Sequence, residues 1–370
     1  MIVIGASAGG VEAVLALAAG LPAGLPAAVF VVIHTSASAP GLLSGLVDRV
    51  GPLAAGYAVN GAEVLPGRIY LAPVDHHLLV ERDGGRCRTR VWRGPKENGF
   101  RPAIDPLFRS AARAYGARAV GVILSGYLDD GTLGLMLLKR RGGVAVVQDP
   151  GTAACPDMPR SAIENVDVDY VVPLGEMPGL LSRLASEPPP PPPPPPMTPR
   201  GAGVQAMTVD IRSGSEEGPV ETTPNPIERK QAKDGAPSAL TCPECGGALW
   251  EATIDGVMRY SCHVGHGYTG DSLEEQYVQE VETALWTAMR QLVESAELHR
   301  RLARRMRESG PAERAESYEQ RAAETERRAG VIRDLLVNDR IGGLIPRRGA
   351  GGGGGRGIAE EVRPPPTLQG

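Results

Sequence analysis

Residues 1–185 alternate short, continuous apolar runs with longer segments whose apolar positions recur every three or four residues. The runs at 2–4, 28–33, 68–72, 77–80, 119–124, 144–147 and 170–172 read as strands. The segments 9–19, 40–50, 104–115, 131–141 and 176–185 read as amphipathic helices. Several strands show no polar alternation, as expected where both faces are covered. This alternation predicts an α/β fold with a doubly wound, mostly parallel sheet. The closely spaced strands in 62–93, turning at Asp83-Gly84-Gly85, predict an antiparallel hairpin at the sheet edge.

The pattern stops at residue 186. Nine consecutive prolines, Pro188 to Pro196, open a polar stretch with few large apolar residues. Polyproline is extended and has no core-forming face. Residues 186–240 therefore read as a linker, part rod and part coil, and as a spacer rather than a docking ligand for a proline-binding module. Residues 241–270 form a compact Cys/His unit. A helical stripe follows at Tyr277, Val281, Ala284, Ala288, Leu292, His299, Leu302 and Met306, broken by Gly310-Pro311. A second helix, about 312–337, carries Tyr318, Ala322, Ala329, Ile332 and Leu336. Residues 271–340 are thus expected to form a helical hairpin whose alanine-rich stripe needs a partner surface. His299 in it reads as a packed histidine, not a ligand. The tail, 341–370, runs through Gly351–Gly355 and Pro364–Pro366 and reads as disordered.

Composition narrows the function classes. A net charge of −4 over 370 residues gives no pull toward nucleic acid or anionic membrane. No apolar run approaches the roughly 20 residues of a membrane span. The N-terminus has no secretory pattern, so a cytoplasmic protein without membrane insertion is expected. Aromatics make up 4% of the chain, so the core must be aliphatic.

The chemistry starts at Ile4-Gly5-Ala6-Ser7-Ala8-Gly9-Gly10, a strand, tight turn and helix start. Such turns cradle phosphate in dinucleotide-binding folds. Those sites expect an acidic residue about 20 residues later, at the end of the second strand. Here that strand ends in His34. A serine nucleophile needs a base, and the base needs an orienting acid. Asp130, before Gly131 at a third strand-to-helix turn, would bring the acid to the same sheet edge. Each residue also has a plain reading: Asp130 as a helix N-cap, and His34 as a surface residue.

Several stretches together resemble the catalytic domain of the chemotaxis protein-glutamate methylesterases of CheB type. They are the Ser7 turn, Val31-Val32-Ile33-His34, Leu65-Pro66-Gly67-Arg68-Ile69-Tyr70-Leu71-Ala72-Pro73, Ile104-Asp105-Pro106-Leu107-Phe108, Leu124-Ser125-Gly126 through Asp130-Gly131, and Gln148-Asp149-Pro150 through Met158-Pro159. The resemblance implies Ser7 as nucleophile, His34 as general base and acid, and Asp130 as the orienting acid, with Asp129 the weaker alternative. It implies an oxyanion site at the backbone N–H groups of Ala8 and Tyr127. The family commonly has Thr and Met at these two places, so pocket shape is expected to differ. The implied reaction is hydrolysis of glutamate γ-methyl esters on cytoplasmic helices of chemoreceptors, with glutamine deamidation as a side activity and no catalytic cofactor. The family's receiver domain has no counterpart before the first strand, so regulation is expected from elsewhere. Two competing readings are the same esterase chemistry on another signalling protein, and a non-catalytic scaffold. The intact Ser7, His34 and Asp130 speak against the scaffold.

Cys242-Pro243-Glu244-Cys245 and Cys262-His263-Val264-Gly265-His266 supply four ligands in two pairs, the pattern of a structural zinc ribbon. Some methylesterase-like proteins carry a similar ribbon with Arg at the place of His263. Cys242, Cys245, Cys262 and His266 are therefore the expected ligands, with His263 the alternative for the fourth. Residues 1–185 are expected to be active alone, and metal removal to unfold 241–270 without stopping catalysis.

Overall fold

The computed structural model describes residues 1–187 and 235–337, apart from 84, 255 and 256. Most of the proline-rich linker and the tail lie outside the described residues. The chain divides into two compact units, Met1–Gln276 and Tyr277–Gly370.

The first unit is built on a seven-stranded sheet. Its strands are β1 (Ile2–Ala6), β2 (Val29–Ile33), β3 (Ala54–Tyr57), β4 (Arg68–Leu71), β7 (Val120–Ile123), β8 (Val144–Gln148) and β9 (Tyr170–Val172). Their spatial order is β3-β4-β2-β1-β7-β8-β9, with every pairing parallel. Helices α1 (Gly10–Gly20), α2 (Leu43–Val50) and α6 (Met177–Ser186) cover one face. The other is covered by α3 (Ile104–Tyr115), α4 (Thr132–Arg140) and α5 (Asp157–Asn165). The two-residue strand period explains this split. Ile2 and Ile4 point into the first layer with Val14 and Leu17, whereas Val3 points into the second with Phe108 and Leu135. Burying one such aliphatic side chain contributes about 1.5–3 kcal/mol.

Strand order reverses at β1. From it the chain winds toward β2, β4 and β3 on one side and toward β7, β8 and β9 on the other. The carboxyl ends of the strands around such a reversal open the crevice where ligands bind in these sheets. Ser7 follows β1, His34 follows β2 and Asp130 follows β7.

The expected hairpin forms as β5 (His77–Asp83) and β6 (Arg86–Trp92), but as a separate two-stranded sheet. It is tied to α3 where the Val80 N–H donates to Ser110 Oγ at 3.0 Å.

The Cys/His unit is a four-stranded antiparallel sheet of β10 (Ala236–Thr241), β11 (Ala248–Ile254), β12 (Val257–Cys262) and β13 (Gly267–Thr269). It belongs to the first unit, which the expected division at 185 and 241 does not anticipate. The connection is specific. The Asn98 N–H donates to Gly267 O at 2.7 Å, and Lys96 pairs with Glu244 at 2.5 Å. Glu97, buried, holds Arg109 of α3 at 2.7 Å and Arg259 of β12 at 2.8 Å. Burial alone would raise the Glu97 carboxyl. The two guanidinium groups outweigh it and hold Glu97 far below the usual carboxylate range.

The second unit contains most of α7 (Gly270–Ser309) and all of α8 (Ala312–Val337). Within it, Arg300 pairs with Glu326 and Arg307 with Glu319, and the His299 ring stacks near Tyr318 at 6.2 Å. Beyond Val278, the buried positions among its described residues are alanines at heptad spacing: Ala296 and Ala303 on α7, and Ala315, Ala322 and Ala329 on α8. The buried seam is thus narrower than the expected stripe and is lined mainly by small residues.

Candidate active site

The site is assembled by three strand-to-helix turns and one hairpin-like loop. After β1 the backbone turns sharply: the Ser7 N–H donates to Ser125 O at 2.9 Å, and Gly9, at φ 71°, leads into α1. The Ser125 hydroxyl fixes the turn from across the crevice, donating to Ala8 O at 2.7 Å and accepting from the Cys155 N–H at 2.8 Å. Gly126 must be glycine. A Cβ there would lie 2.0 Å from Met158 Sδ and 2.8 Å from Ser7 Cβ. The N–H groups of Ala8 and Tyr127, the expected oxyanion donors, flank this turn and have no protein acceptor among the described residues.

His34 joins the other two expected residues. Its Nδ1 lies 3.2 Å from Ser7 Oγ and its Nε2 lies 2.7 Å from Asp130 Oδ2. With the proton on Nε2, the imidazole donates to Asp130 and presents a lone pair to the Ser7 hydroxyl. The ring lies flat on Phe100, with centroids 3.7 Å apart and planes within 9°. Phe100 fixes the imidazole plane, a role sequence reasoning did not foresee.

Asp130 is 1% exposed and accepts four hydrogen bonds. Oδ2 takes the His34 Nε2–H and the Ile104 N–H at 2.7 Å; Oδ1 takes the Asn98 amide at 2.9 Å and the Asp105 N–H at 3.2 Å. Ile104 and Asp105 open α3, so the carboxylate sits at that helix's positive end. Burial raises the Asp130 carboxyl. The bond and charge of His34, with the Ile104 and Asn98 donors, outweigh burial and hold it below the ordinary value. The magnitudes agree with this direction. Desolvating a carboxylate costs several kcal/mol, while hydrogen bonds to a charged group contribute about 1.5–3 kcal/mol each.

Two neighbouring carboxyls behave oppositely. Asp105 is pushed up to about 7, by burial first and by the Asp130 charge second. Asp129, the weaker candidate for the acid, makes no bond to His34. Its Oδ1 accepts the Ser272 hydroxyl at 2.8 Å, and burial raises it to about 6 against the bonds from Thr269 and Ser272. The pair Asp129-Asp130 is thus divided by environment, with Asp130 alone facing the imidazole.

Asn98 is the other unforeseen residue. The Asn98-Gly99 dipeptide has positive φ at both positions, 52° and 79°, closed by reciprocal bonds between Glu97 and Phe100. Asn-Gly is the favoured pair for such a turn, so this signal was present in the sequence. The turn sends Phe100 onto His34 and the Asn98 amide between Asp105 and Asp130. His77, buried and with its imidazole held below its usual value chiefly by desolvation, secures the loop. Its Nε2–H donates to Pro95 O at 2.9 Å and its Nδ1 accepts the Ala103 N–H at 3.2 Å.

In the ribbon, the ligand atoms of Cys242, Cys245, Cys262 and His266 all lie within 4.8 Å of one another. The His266 Nδ1 is 3.5 Å from both Cys242 and Cys262 Sγ, and Cys245 Sγ is 3.7 Å from Cys262 Sγ. A tetrahedral ion with the usual zinc bond lengths requires edges of about 3.5 Å between N and S and about 3.75 Å between S and S, so the donor set fits. His263 stands outside the cluster, its ring against Gly247.

A doubly wound parallel sheet that gathers serine, histidine and buried aspartate at its strand reversal has the architecture of a serine-hydrolase site. Residues 2–181 match the CheB methylesterase family. The chain is 39% identical over 184 residues to a putative protein-glutamate methylesterase/protein-glutamine glutaminase of Leptospira interrogans, covering 50% of this chain and 93% of that protein. It is 41% identical over 184 residues to protein-glutamate methylesterase/protein-glutamine glutaminase 5 of Anaeromyxobacter dehalogenans, where the match spans about half of each, 50% of this chain and 51% of the relative. It is also similar to the crystal structure of the Thermotoga maritima CheB methylesterase catalytic domain, at 34% identity and a TM-score of 0.48, covering 50% of this chain and 97% of that one. The chain belongs to the CheB methylesterase family.

Proposed function

We propose that this protein is a serine esterase that hydrolyses glutamate γ-methyl esters on the cytoplasmic helices of a methylated chemoreceptor. The observation that carries the reading is the continuous chain from Ser7 Oγ through the His34 ring to Asp130. Ser7 attacks the ester carbonyl while His34 takes its proton. The same imidazole protonates the departing methanol, and water then releases the acyl group by the reverse of these roles. The oxyanion forms between the N–H groups of Ala8 and Tyr127, beside the start of α1. A glutamine side chain presents the same carbonyl, so deamidation fits the same site. No helix among the described residues is long and apolar enough to cross a membrane, which suits a substrate met in the cytoplasm. Residues 1–185 hold the catalytic machinery in this reading. A receptor fragment carrying labelled methyl esters should lose its label as methanol in the presence of the full chain.

In the ribbon, Cys242, Cys245, Cys262 and His266 would hold one structural zinc ion, which would supply folding energy to a sheet with little core of its own. Elemental analysis of the purified protein should give one zinc per chain. His266→Ala should lower that occupancy and His263→Ala should not. The reverse pattern would transfer the fourth ligand to His263.

A further inference from the structure

We propose that Asn98 is a positioning residue for the Asp130 carboxylate, and that the last ribbon strand holds Asn98 in place, so the ribbon supports the triad. This rests on the esterase reading of Ser7, His34 and Asp130. The buried Asn98 amide spends each of its groups. Its Nδ2 donates to Asp130 Oδ1 at 2.9 Å and to Asp105 Oδ2 at 3.1 Å, and its Oδ1 accepts the Thr269 N–H of β13 at 3.1 Å. An asparagine amide can be turned end for end without changing its shape. Here both ends specify one orientation: the Thr269 N–H needs the oxygen, and the Asp130 carboxylate, an acceptor only, needs the NH₂, so the ribbon strand anchors the amide on the side away from the carboxylates.

The backbone of the same turn is fixed by the ribbon as well. The Asn98 N–H is bonded to Gly267 O, and Glu97 is bridged to Arg259. A Cβ on Gly99 would lie 2.6 Å from Gln276 Nε2, so the turn also fits closely against the start of α7. Phe100, which carries the His34 ring on its face, leaves this turn one residue later. Both the imidazole plane and the carboxylate that orients it therefore depend on a loop held from residues 259–276. Residues 1–185, expected to be active alone, would on this proposal act more slowly than the full chain, since that fragment lacks the Thr269 N–H.

The test uses the full chain with 4-nitrophenyl acetate, a small ester that needs no receptor docking. Asn98→Ala should lower kcat on the order of 10- to 100-fold with KM within about twofold, as expected for misplaced catalytic groups. Asn98→Asp keeps the acceptor for Thr269 and tolerates positive φ, yet offers Asp130 no N–H. It should lose kcat similarly, and it carries the test if the alanine variant fails to fold by circular dichroism. The downfield proton resonance of the imidazole N–H shared with Asp130 should move or broaden in both variants, which a merely structural role would not require. Arg259→Met, which loosens the ribbon, should lower kcat in the same direction and disturb the same resonance. Unchanged kcat and an unmoved resonance in the Asn98 variants would overturn the positioning role. The same result in Arg259→Met alone would overturn the ribbon's part in it. Absence of Ser7-dependent hydrolysis in the wild type would instead sink the esterase reading, while the resonance still reports on the positioning.

Discussion

Ser7→Ala is expected to abolish ester hydrolysis while leaving the fold intact. The hydroxyl contributes no packing that the sheet depends on. Ser7 is held by its backbone, through the N–H bond to Ser125 O, and its Oγ faces His34 at the crevice. Removing the nucleophile of a serine hydrolase costs on the order of 10⁶-fold in kcat, leaving only the rate supported by binding and the oxyanion donors. The thermal midpoint should stay within a few degrees of wild type, since the lost side chain makes one 3.2 Å bond to a ring that keeps its contacts to Asp130 and Phe100. A Ser7→Ala protein that retained more than about a hundredth of wild-type activity would be incompatible with covalent catalysis at this residue.

Asp130→Asn is expected to have the second-largest effect, a loss on the order of 10⁴-fold in kcat, the size seen when the orienting acid of a serine triad is replaced by its amide. The reason is tautomeric. Asp130 Oδ2 accepts the His34 Nε2–H, which leaves Nδ1 free to take the Ser7 proton. An amide nitrogen at that place would donate to Nε2 and force the proton onto Nδ1, facing the serine. An NH₂ at the Oδ2 place also meets the Ile104 N–H, donor against donor. Stability should fall as well, by an amount that thermal melts will register. Asp129→Asn serves as the control. Its carboxyl meets Ser272, not His34, so kcat should change by less than about tenfold. Equal losses in the two variants would contradict the division of roles between these adjacent acids.

The parallel sheet was legible because its central strands are unbroken β-branched runs. The edge strand Ala54–Tyr57 was not, since Ala-Ala-Gly-Tyr carries no such signal and is only partly buried. Helix Asp157–Asn165 escaped because Pro159 sits inside the pattern. It falls in the first turn, where the missing N–H costs nothing. Ser7, His34 and Asp130 could be found because each ends a strand or precedes a helix at one predictable edge. Asn98 and Phe100 could not be assigned roles in the same way. Their partners lie as far as 171 residues along the chain, and their direction is set by a turn whose Asn-Gly signal predicts conformation but not destination. The Cys/His cluster of the ribbon was legible from spacing, while His266 was preferred to His263 only through a resemblance. The ribbon's seat beside the catalytic loop was not legible, because Glu97, Arg109 and Arg259 carry no pattern that links them before the fold does.

The central claim is acyl transfer from a glutamyl methyl ester through Ser7, and oxygen tracing tests it most directly. A methylated receptor cytoplasmic fragment is incubated with the full chain in H₂¹⁸O, and both the trapped methanol and the receptor peptides are analysed by mass spectrometry. Attack at the carbonyl followed by hydrolysis of the acyl-serine places one ¹⁸O in each new glutamate γ-carboxylate and leaves the methanol unlabelled. Ser7→Ala should give neither product. Labelled methanol would mean cleavage on the methyl side of the ester, and no methanol at all with active wild-type enzyme would mean a different target; either result would contradict the account.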